Sequence, residues 1–380
     1  MSSRLTVVPA GDEHVAMLAE FFRIAWQSTA KPDEVLAART RAAAENLAEP
    51  GRVPPAQIAI QGDRIVGYCG SIAVRYWNGV TEQPAYWAKG LMVLEEFRNG
   101  PIGFQLVKDL SKVSPLMGSF TVNPASNKLF AALGYRDRGA LPNRIRPLRL
   151  RRVFGHADPA LLGTSGTRGM LGRVARVLQV TGLPSVAGAV LDAGLHLVSP
   201  ADGSGAATSI ADTIAEAELD ALWQRARSAL PAATVRDGRA LLLRYGNGES
   251  HADYRAVTVR RGGVLVGVAY VRRPRTPGDP RLGGIRVASL SDLLAEPADT
   301  GTLTALLAGS ERCGVALNAD ALICSVTYAP LSALLKRRGY VNVPGNVHFF
   351  LKSPASDGSW AASVDQWWLA RGDSEADANF

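Results

Sequence analysis

Along the first 135 residues, apolar and polar positions fall into runs that read as one mixed α/β unit. Leu5–Val8 and Ala56–Ile60 have the length and apolar content of short strands. Arg64–Trp77 and Ala85–Leu94 are longer runs of the same kind, with Asn78-Gly79 between them as a turn signal. His14–Gln27 and Asp33–Leu47 carry apolar residues at helical spacing. After the strand containing Trp87–Leu94 comes Arg98-Asn99-Gly100-Pro101-Ile102-Gly103, then a helical stripe of Ile102, Leu106, Leu110 and Val113. A strand over Met117–Val122 ends at Asn123-Pro124, and a short helix over Ala125–Leu133 closes on Gly134-Tyr135.

A glycine-rich turn running into a helix leaves backbone N–H groups at the positive end of the helix dipole, where a diphosphate can sit. Alone, such a turn is a common connection in α/β domains. The whole order of strand, turn, helix, strand, Asn-led helix and Gly-Tyr is more specific, and it resembles the GCN5-related N-acyltransferases. In that family an Arg/Gln-x-x-Gly-x-Gly/Ala turn holds the pyrophosphate of acyl-CoA, and a second motif has an Asn followed by a helix ending in Leu-Gly-aromatic. The resemblance implies acetyl-CoA or another acyl-CoA as cofactor. Its arm would lie along the strand at Met92 and Val93, and its pyrophosphate on Arg98, Asn99, Gly100, Ile102 and Gly103. Asn123 and Asn127 would reach the pantetheine. Pro101 departs from the pattern by removing one N–H from the turn. Phe130 stands where many relatives have a tyrosine that protonates the leaving thiolate. The general base is not legible: Glu95 and Glu96 are the nearest carboxylates in sequence, with a solvated loop as their other reading. Tyr86 and Lys89 sit on or beside the strand and read equally well as packing residues. His14, His156, His196, His251 and His348 have no catalytic or metal spacing, so no metal is expected.

The pattern then repeats. Gly62–Gly70, a hairpin turn into a strand, is echoed 200 residues later by Gly262–Tyr270, and Gly134-Tyr135 by Gly339-Tyr340. The second copy reads as a helix over Ile214–Leu230, strands at Tyr254–Arg260, Val264–Arg272 and Ile285–Ser289, and a helix at Leu303–Ala308. A strand at Ala321–Ser325, a helix at Pro330–Arg338 and a closing strand at Val347–Leu351 follow. Its counterpart of the phosphate turn, Pro297–Thr304, has no arginine and one glycine, with Gly301 standing for Gly103. The expectation is an α/β fold with mixed sheets: an acyl-CoA-binding domain over 1–153, a linker over 154–208, and a degenerate second copy over 209–380. Tandem folds with one worn half resemble the Fem-type and polysaccharide-associated acyltransferases of bacteria. Val235-Arg236-Asp237 with Leu243-Arg244-Tyr245 resembles a signature of their second half, and Trp367–Asp373 resembles their ends. That resemblance makes Arg236, Asp237, Arg244 and Tyr245 acceptor-side candidates; an internal ion pair bracing the second domain is the other reading.

Charge adds one feature. Residues 1–135 hold 13 Lys/Arg against 12 Asp/Glu, whereas 136–152 hold seven arginines against Asp137 alone, out of a net +8 for the chain. An Arg136–Arg152 patch of this kind suits an anionic nucleotide or an anionic membrane surface, and equally reads as two strands with arginines on a wet face. No aromatic residues interleave with it, which speaks against nucleic acid. Cys69, Cys313 and Cys324 read as free buried thiols, and the start of the chain carries no apolar leader, so a cytoplasmic protein is expected. Within the linker, Arg168–Leu197 is apolar but interrupted by Pro184 and Asp192, a poor spanning helix. Two short helices that pack the domains together are one reading, and an interfacial element that docks the enzyme at the inner face of the membrane is the other. The expected function is N-acylation of an amino sugar, as a sugar nucleotide or lipid-linked glycan, for a bacterial polysaccharide. A Fem-like aminoacyl transferase and a catalytically inactive scaffold binding an anionic nucleotide are the alternatives.

Overall fold

The computed structural model describes residues 4–121, 123–150, 152–153, 207–211, 213–246, 252–276, 278, 284–343, 345, 347–354, 360–374 and 377. They form two compact units, one of residues 1–140 with 346–363, the other of 141–345 with 364–380. Neither unit is a continuous segment, which corrects the division into 1–153 and 209–380. The linker expected over 154–208, including Arg168–Leu197, lies outside the described residues except for Ala207 and Thr208. His156, His196 and His251 also lie outside them.

In the first unit β1 (Leu5–Pro9), α1 (Val15–Trp26), α2 (Pro32–Ala44), β2 (Gln57–Gln61), β3 (Arg64–Trp77) and β4 (Glu82–Val93) follow one another. After them come α3 (Ile102–Leu110), β5 (Met117–Thr121), α4 (Pro124–Ala132) and β6 (Arg136–Ala140). The second unit begins with β7 (Asn143–Pro147) and continues with β8 (Ala207–Ala211), α5 (Glu216–Arg227), β9 (Ala232–Thr234), β10 (Tyr254–Arg261) and β11 (Val264–Arg272). Then come β12 (Val287–Ala295), α6 (Thr300–Ala316), β13 (Ala321–Cys324), α7 (Ala329–Arg337) and β14 (Val341–Val343). Strand β15 (His348–Lys352) belongs to the first unit, and β16 (Trp367–Trp368) to the second. Two expected elements grow in the structure: Ile285–Ser289 becomes the longer β12, and Leu303–Ala308 becomes the longer α6.

The strand orders are β1-β2-β3-β4-β5-β15-β6 in the first sheet and β14-β7-β13-β12-β11-β10-β8 in the second. Strand β15, from the second half of the sequence, thus lies in the first sheet, and β7, from the first half, in the second. Strand β15 lies antiparallel between β5 and β6, and β7 antiparallel between β13 and β14. The local cause lies at Leu141-Pro142, which joins β6 to β7. A type I′ hairpin turn needs positive φ at both central positions, which Pro142 forbids, and a type II′ turn needs it at the first, where Leu141 stands in place of glycine. The chain leaves the first sheet there instead.

The first sheet is covered on both faces, as period-two strands require. Ile58 and Ile65 join Val15, Leu18, Phe21 and Val35 of α1 and α2 in one buried cluster. Ala59 and Val66, their neighbours in sequence, join Ile102, Leu106, Val107 and Leu110 of α3 in another, with Phe130 and Phe350. The repeat glycine has a specific task here. A Cβ on Gly67 would stand 2.9 Å from Ile102 Cγ2 and 3.0 Å from Leu106 Cδ1; one on Gly267 would stand 2.6 Å from Thr302 Cγ2 and 2.8 Å from Leu306 Cδ1. Each copy thus seats its third helix directly on a bare strand. The matching contacts put Ile102 with Thr302 and Leu106 with Leu306, so Gly103 corresponds to Leu303 and not to Gly301. Because neither helix has room to retreat without opening its core, Gly67→Ala is expected to destabilise the protein by about 1–3 kcal/mol in urea unfolding. A variant as stable as the wild type would show that the helix yields freely.

Candidate active site

Strands β4 and β5 are parallel neighbours only at Tyr86–Met117, Trp87–Gly118 and Ala88–Ser119. Beyond Ala88, β4 continues through Lys89–Val93 without β5 beside it. A bulge accompanies the parting: Tyr68 faces Met92 and Gly70 faces Lys89, so Gly90 and Leu91 together oppose Cys69. Gly90 has φ 61°, a left-handed conformation that glycine adopts without a steric penalty. The Leu94 amide donates to the Val66 carbonyl at 2.9 Å. In an antiparallel pair, Leu94 and Met92 therefore both direct their backbone polar groups at β3. Val93 and Leu91 face the gap, and Arg98 Nε already donates to the Val93 carbonyl at 3.0 Å. Val93 thus has its backbone on the gap side, whereas Met92, expected there too, has its backbone turned to β3.

The open strand leads to the start of α3. Helix geometry leaves the N–H groups of Ile102, Gly103 and Phe104 without an intrahelical acceptor, and no side chain caps them. The Gly100 amide is already given to the Phe97 carbonyl at 3.2 Å, which corrects its expected place among the phosphate donors. Phe104, which the sequence reading passed over, supplies the third amide. Arg98, Asn99, Gly100 and Pro101 are exposed around this helix end. A Cβ on Gly103 would meet Leu129 Cδ1 at 3.7 Å, ordinary contact distance.

On β5 and α4, Asn123 caps the helix by accepting from the Ala125 amide at 2.9 Å, and Asn127 Oδ1 hydrogen-bonds Thr121 Oγ1. Both carboxamide oxygens are thus committed locally. Phe130 is buried, packing edge-to-face on Tyr135 with ring centroids 4.9 Å apart. Burial pushes the Tyr135 phenol well above its usual range, and its oxygen is bonded to Ser111 Oγ at 2.8 Å. Tyr86 is likewise a packing residue, with its hydroxyl donating to Glu49 at 3.0 Å. Glu95 and Glu96 begin a helical turn beyond the open end of β4. Both are exposed, and Glu96 pairs with Arg64 at 3.2 Å. At about 3.3 Å per residue, Glu95 stands roughly 20 Å of chain from the point where the strands part. His348 Nδ1 bonds Asp137 at 2.9 Å on the far side of β5, a pair with no signature in the sequence.

Beside the bulge lies an aromatic group. Trp26, the last residue of α1, is 41% exposed and meets Tyr68 edge-on at 5.7 Å and Phe22 at 5.1 Å. A Cβ on Gly90 would lie 3.5 Å from the Trp26 ring. The glycine thus opens the strand to this platform.

The second unit treats the same two places differently. At the start of α6, Asp299 caps the helix, accepting from the Thr302 amide at 2.9 Å and the Thr302 hydroxyl at 2.7 Å. Burial works to raise the Asp299 carboxyl, but the Thr302 bonds and Arg261 outweigh it and hold it below the usual carboxylate range. A fixed anion therefore occupies the end where a phosphate would sit. Strand β12 pairs with β13 as far as Leu290–Cys324. Past that point the chain's own tail takes the vacated edge. Trp368 Nε1 donates to the Leu293 carbonyl at 2.8 Å, and the Thr327 amide to the Leu369 carbonyl at 3.0 Å. Asp377 accepts from Ser289 at 2.7 Å and Ser291 at 2.8 Å.

No family model matches the sequence, and no curated protein matches it. Solved structures do match the fold. A GCN5-related N-acetyltransferase from Kribbella flavida is 15% identical over 92% of this chain and 71% of its own, with TM-score 0.53. N-myristoyltransferase of Saccharomyces cerevisiae with bound myristoyl-CoA is 11% identical over 96% and 88%, with TM-score 0.55. A tandem GNAT protein from the clavulanic acid biosynthesis pathway is 16% identical over 93% and 100%, with TM-score 0.50. The fold is a tandem GNAT fold.

Within the second GNAT unit two of the acceptor-side candidates, Arg236 and Tyr245, are buried, while Asp237 and Arg244 are half-buried. Arg236 is fully buried; its Nε donates to Asp292 at 2.7 Å, its Nη1 to the Thr234 carbonyl at 2.7 Å, and its Nη2 to Asp373. Arg244 donates to the other oxygen of Asp373 at 2.7 Å, and the Tyr245 hydroxyl to Asp292 at 3.1 Å. Asp237 caps the helical turn Gly238–Leu241. Burial disfavours the Arg236 cation, and the two carboxylates outweigh that effect. Arg236 therefore has no surface to offer an acceptor, and these residues tie the tail to β12.

In the Arg136–Arg152 stretch, Arg136 and Arg152 are exposed. Arg138 and Arg146 are buried, and Arg146 pairs with Glu311 at 3.0 Å. Arg144 holds the Val326 carbonyl at 3.0 Å and Ser332 at 2.7 Å, and Arg149 holds Asn318 at 3.0 Å. Arg151 lies outside the described residues. The three thiols are free and buried as expected, and among the described residues no helix is long and apolar enough to cross a membrane. Removing one member of a buried ion network strands the others. Arg236→Ala is accordingly expected to cost about 3–5 kcal/mol in urea unfolding; a loss below about 1 kcal/mol would return these residues to the acceptor question.

Proposed function

We propose that the first unit transfers an acyl group from acyl-CoA to the amine of an amino sugar. The observation that carries this reading is the open edge of β4, which ends at three uncapped amides of α3. The residues fit the cofactor: Leu91 and Val93 offer strand-type hydrogen bonds to an amide-bearing arm, and Ile102, Gly103 and Phe104 offer N–H groups to a diphosphate. Arg98 stands at the same end with its charge exposed. Acyl-CoA, when bound, supplies an activated thioester carbonyl. The Leu91 amide then serves to polarise an oxygen held beside the gap, in the manner of an oxyanion donor. Phe130 has no proton to give, so the leaving sulfur takes its proton from solvent or from the acceptor's own ammonium.

The amino-sugar part rests on Trp26. An exposed indole bordering the gap at Gly90 offers a flat apolar face to the C–H side of a pyranose, leaving the ring's hydroxyls and amine at its edge. The sugar would arrive as a nucleotide or lipid-linked form, with bacterial polysaccharide assembly as the setting. Phe130, which has no proton to give, favours one second reading: a unit that binds acyl-CoA without transferring it.

Calorimetry with acetyl-CoA followed by a transfer assay on glucosamine and nucleotide-linked amino sugars separates these readings. Binding with transfer supports the first and binding without transfer the second, whereas no binding at millimolar acetyl-CoA removes both. Gly103→Asp is expected to weaken acetyl-CoA binding by roughly 100-fold or more through charge repulsion. The same change should leave the melting temperature unchanged, because the Cβ has room and an acid suits the first turn of a helix. Trp26→Ala is expected to raise KM for the sugar about tenfold while acetyl-CoA affinity holds. Equal loss of both would place Trp26 in the fold and not at the acceptor.

A further inference from the structure

Lys89 stands where β4 and β5 part. It follows Ala88, the last residue of β4 that pairs with β5, and precedes Gly90 of the bulge. Register fixes the direction of its side chain. Residues directly opposite in an antiparallel pair share a face, and Lys89 lies opposite Gly70. A Cβ on Gly70 would stand 2.3 Å from the Tyr68 hydroxyl, so the Tyr68 phenol lies across Gly70 on that face. Trp87, two residues before Lys89, points the same way and meets Phe120 edge-on at 5.3 Å. The Lys89 stem therefore rises beside Tyr68, on the face that carries Trp26. Lys89 is exposed there, which sets aside its reading as a packing residue.

Its charge is unmatched. Among the described residues no hydrogen bond or ion pair engages the Lys89 ammonium. Across Tyr68–Tyr76 of β3, Ala85–Met92 of β4 and Met117–Thr121 of β5, the other charged residue is Arg75. Arg75 alternates to the opposite face and pairs with Glu82 at 3.0 Å. On α1, Glu20 and Arg23 pair with each other at 2.6 Å. The strands around the gap thus present one cation and no anion on the Trp26 side. We propose, on the acyl-transfer reading of this gap, that Lys89 holds a phosphate of the acceptor, and that the acceptor is an amino sugar with phosphate on its anomeric carbon. Leu91, whose amide polarises the thioester oxygen, is two residues on, about 7 Å along the strand. The flexible four-carbon stem of lysine carries a point charge that suits phosphate, so an anion on the sugar that also bears the reacting amine is within its range. A glycosyl phosphate is the group that nucleotide-linked and lipid-linked sugars share. An acceptor that is only a cation meets repulsion at Lys89 instead.

Calorimetry on the full-length protein saturated with CoA, where no transfer can occur, tests this with glucosamine 1-phosphate and glucosamine. The phosphorylated sugar is expected to bind roughly tenfold more tightly, a preference that shrinks as salt is raised. Lys89→Gln should bring glucosamine 1-phosphate down to the affinity of glucosamine and leave glucosamine itself unchanged, whereas Lys89→Arg should keep the preference. A merely structural role would weaken both sugars alike, and Lys89→Gln should melt with the wild type because the side chain is exposed. Uridine diphosphate glucosamine tells the sources apart: tighter binding than the 1-phosphate marks a nucleotide-linked sugar, and weaker binding a monophosphate or lipid-linked one, with the same dependence on Lys89. Failure of CoA to bind removes the acyl-transfer reading, and the proposal falls with it. CoA binding with no preference for the 1-phosphate, or a preference that survives Lys89→Gln, overturns the role of Lys89 alone.

Discussion

A β-strand that parts from its neighbour halfway must satisfy its backbone N–H and C=O groups in some other way, because a buried amide left alone is costly. Both units of this chain contain such a strand, and each answers the requirement differently. In the second, the Trp368 indole takes the Leu293 carbonyl beyond the parting, and buried charges on Arg236, Asp292, Arg244 and Asp373 fix the tail there. In the first, the edge at Leu91 and Val93 borders an open gap, with Arg98 reaching one carbonyl. One divergence is thus a structural seam and the other a place for a ligand that carries amides of its own.

The same contrast holds at the helix that follows. Gly67 and Gly267 let α3 and α6 press on their strands in the same manner, so the two helix N-termini start from equal geometry. Asp299 supplies the second with a fixed negative charge; the first has Asn99 at the matching position, exposed, and no side-chain cap. An anion attracted to the helix dipole would be repelled by Asp299 and met only by amides and Arg98 in the first unit. The second unit thus has protein groups at both places, a carboxylate at the helix end and the tail beside the parted strand.

Much of this was legible in the sequence. Strand β3 begins and ends where its apolar run does, and the Val-Gly pair that marks the repeat is the pair whose glycine the helix needs. The phosphate turn was legible in outline but not in detail, because a motif does not say which amides a turn consumes internally: Gly100 is consumed, Phe104 is not. Bulges shift backbone direction by one residue, so Met92 and Leu91 exchange roles without any change in pattern. Arg236, Arg244 and the β7 arginines misled for a different reason. Charge in a sequence gives no sign of burial, and their partners at Asp373, Asp292 and Glu311 lie far along the chain.

The strand exchange is the feature that local pattern could least disclose. Residues 136–147 read as two strands joined by two residues, which ordinarily means a hairpin. Pro142 excludes the turn such a hairpin needs, and β6 and β7 pair with strands from elsewhere instead. A consequence follows for why the second copy persists without a phosphate turn. Strand β15 is hydrogen-bonded along both edges, to β5 on one side and β6 on the other. Without it, β5 would present an unpaired edge carrying Gly118 and Ser119, the residues opposite Trp87 and Ala88 where the gap begins. The second half of the sequence is thus retained in part because it completes the sheet on which the first half's gap depends.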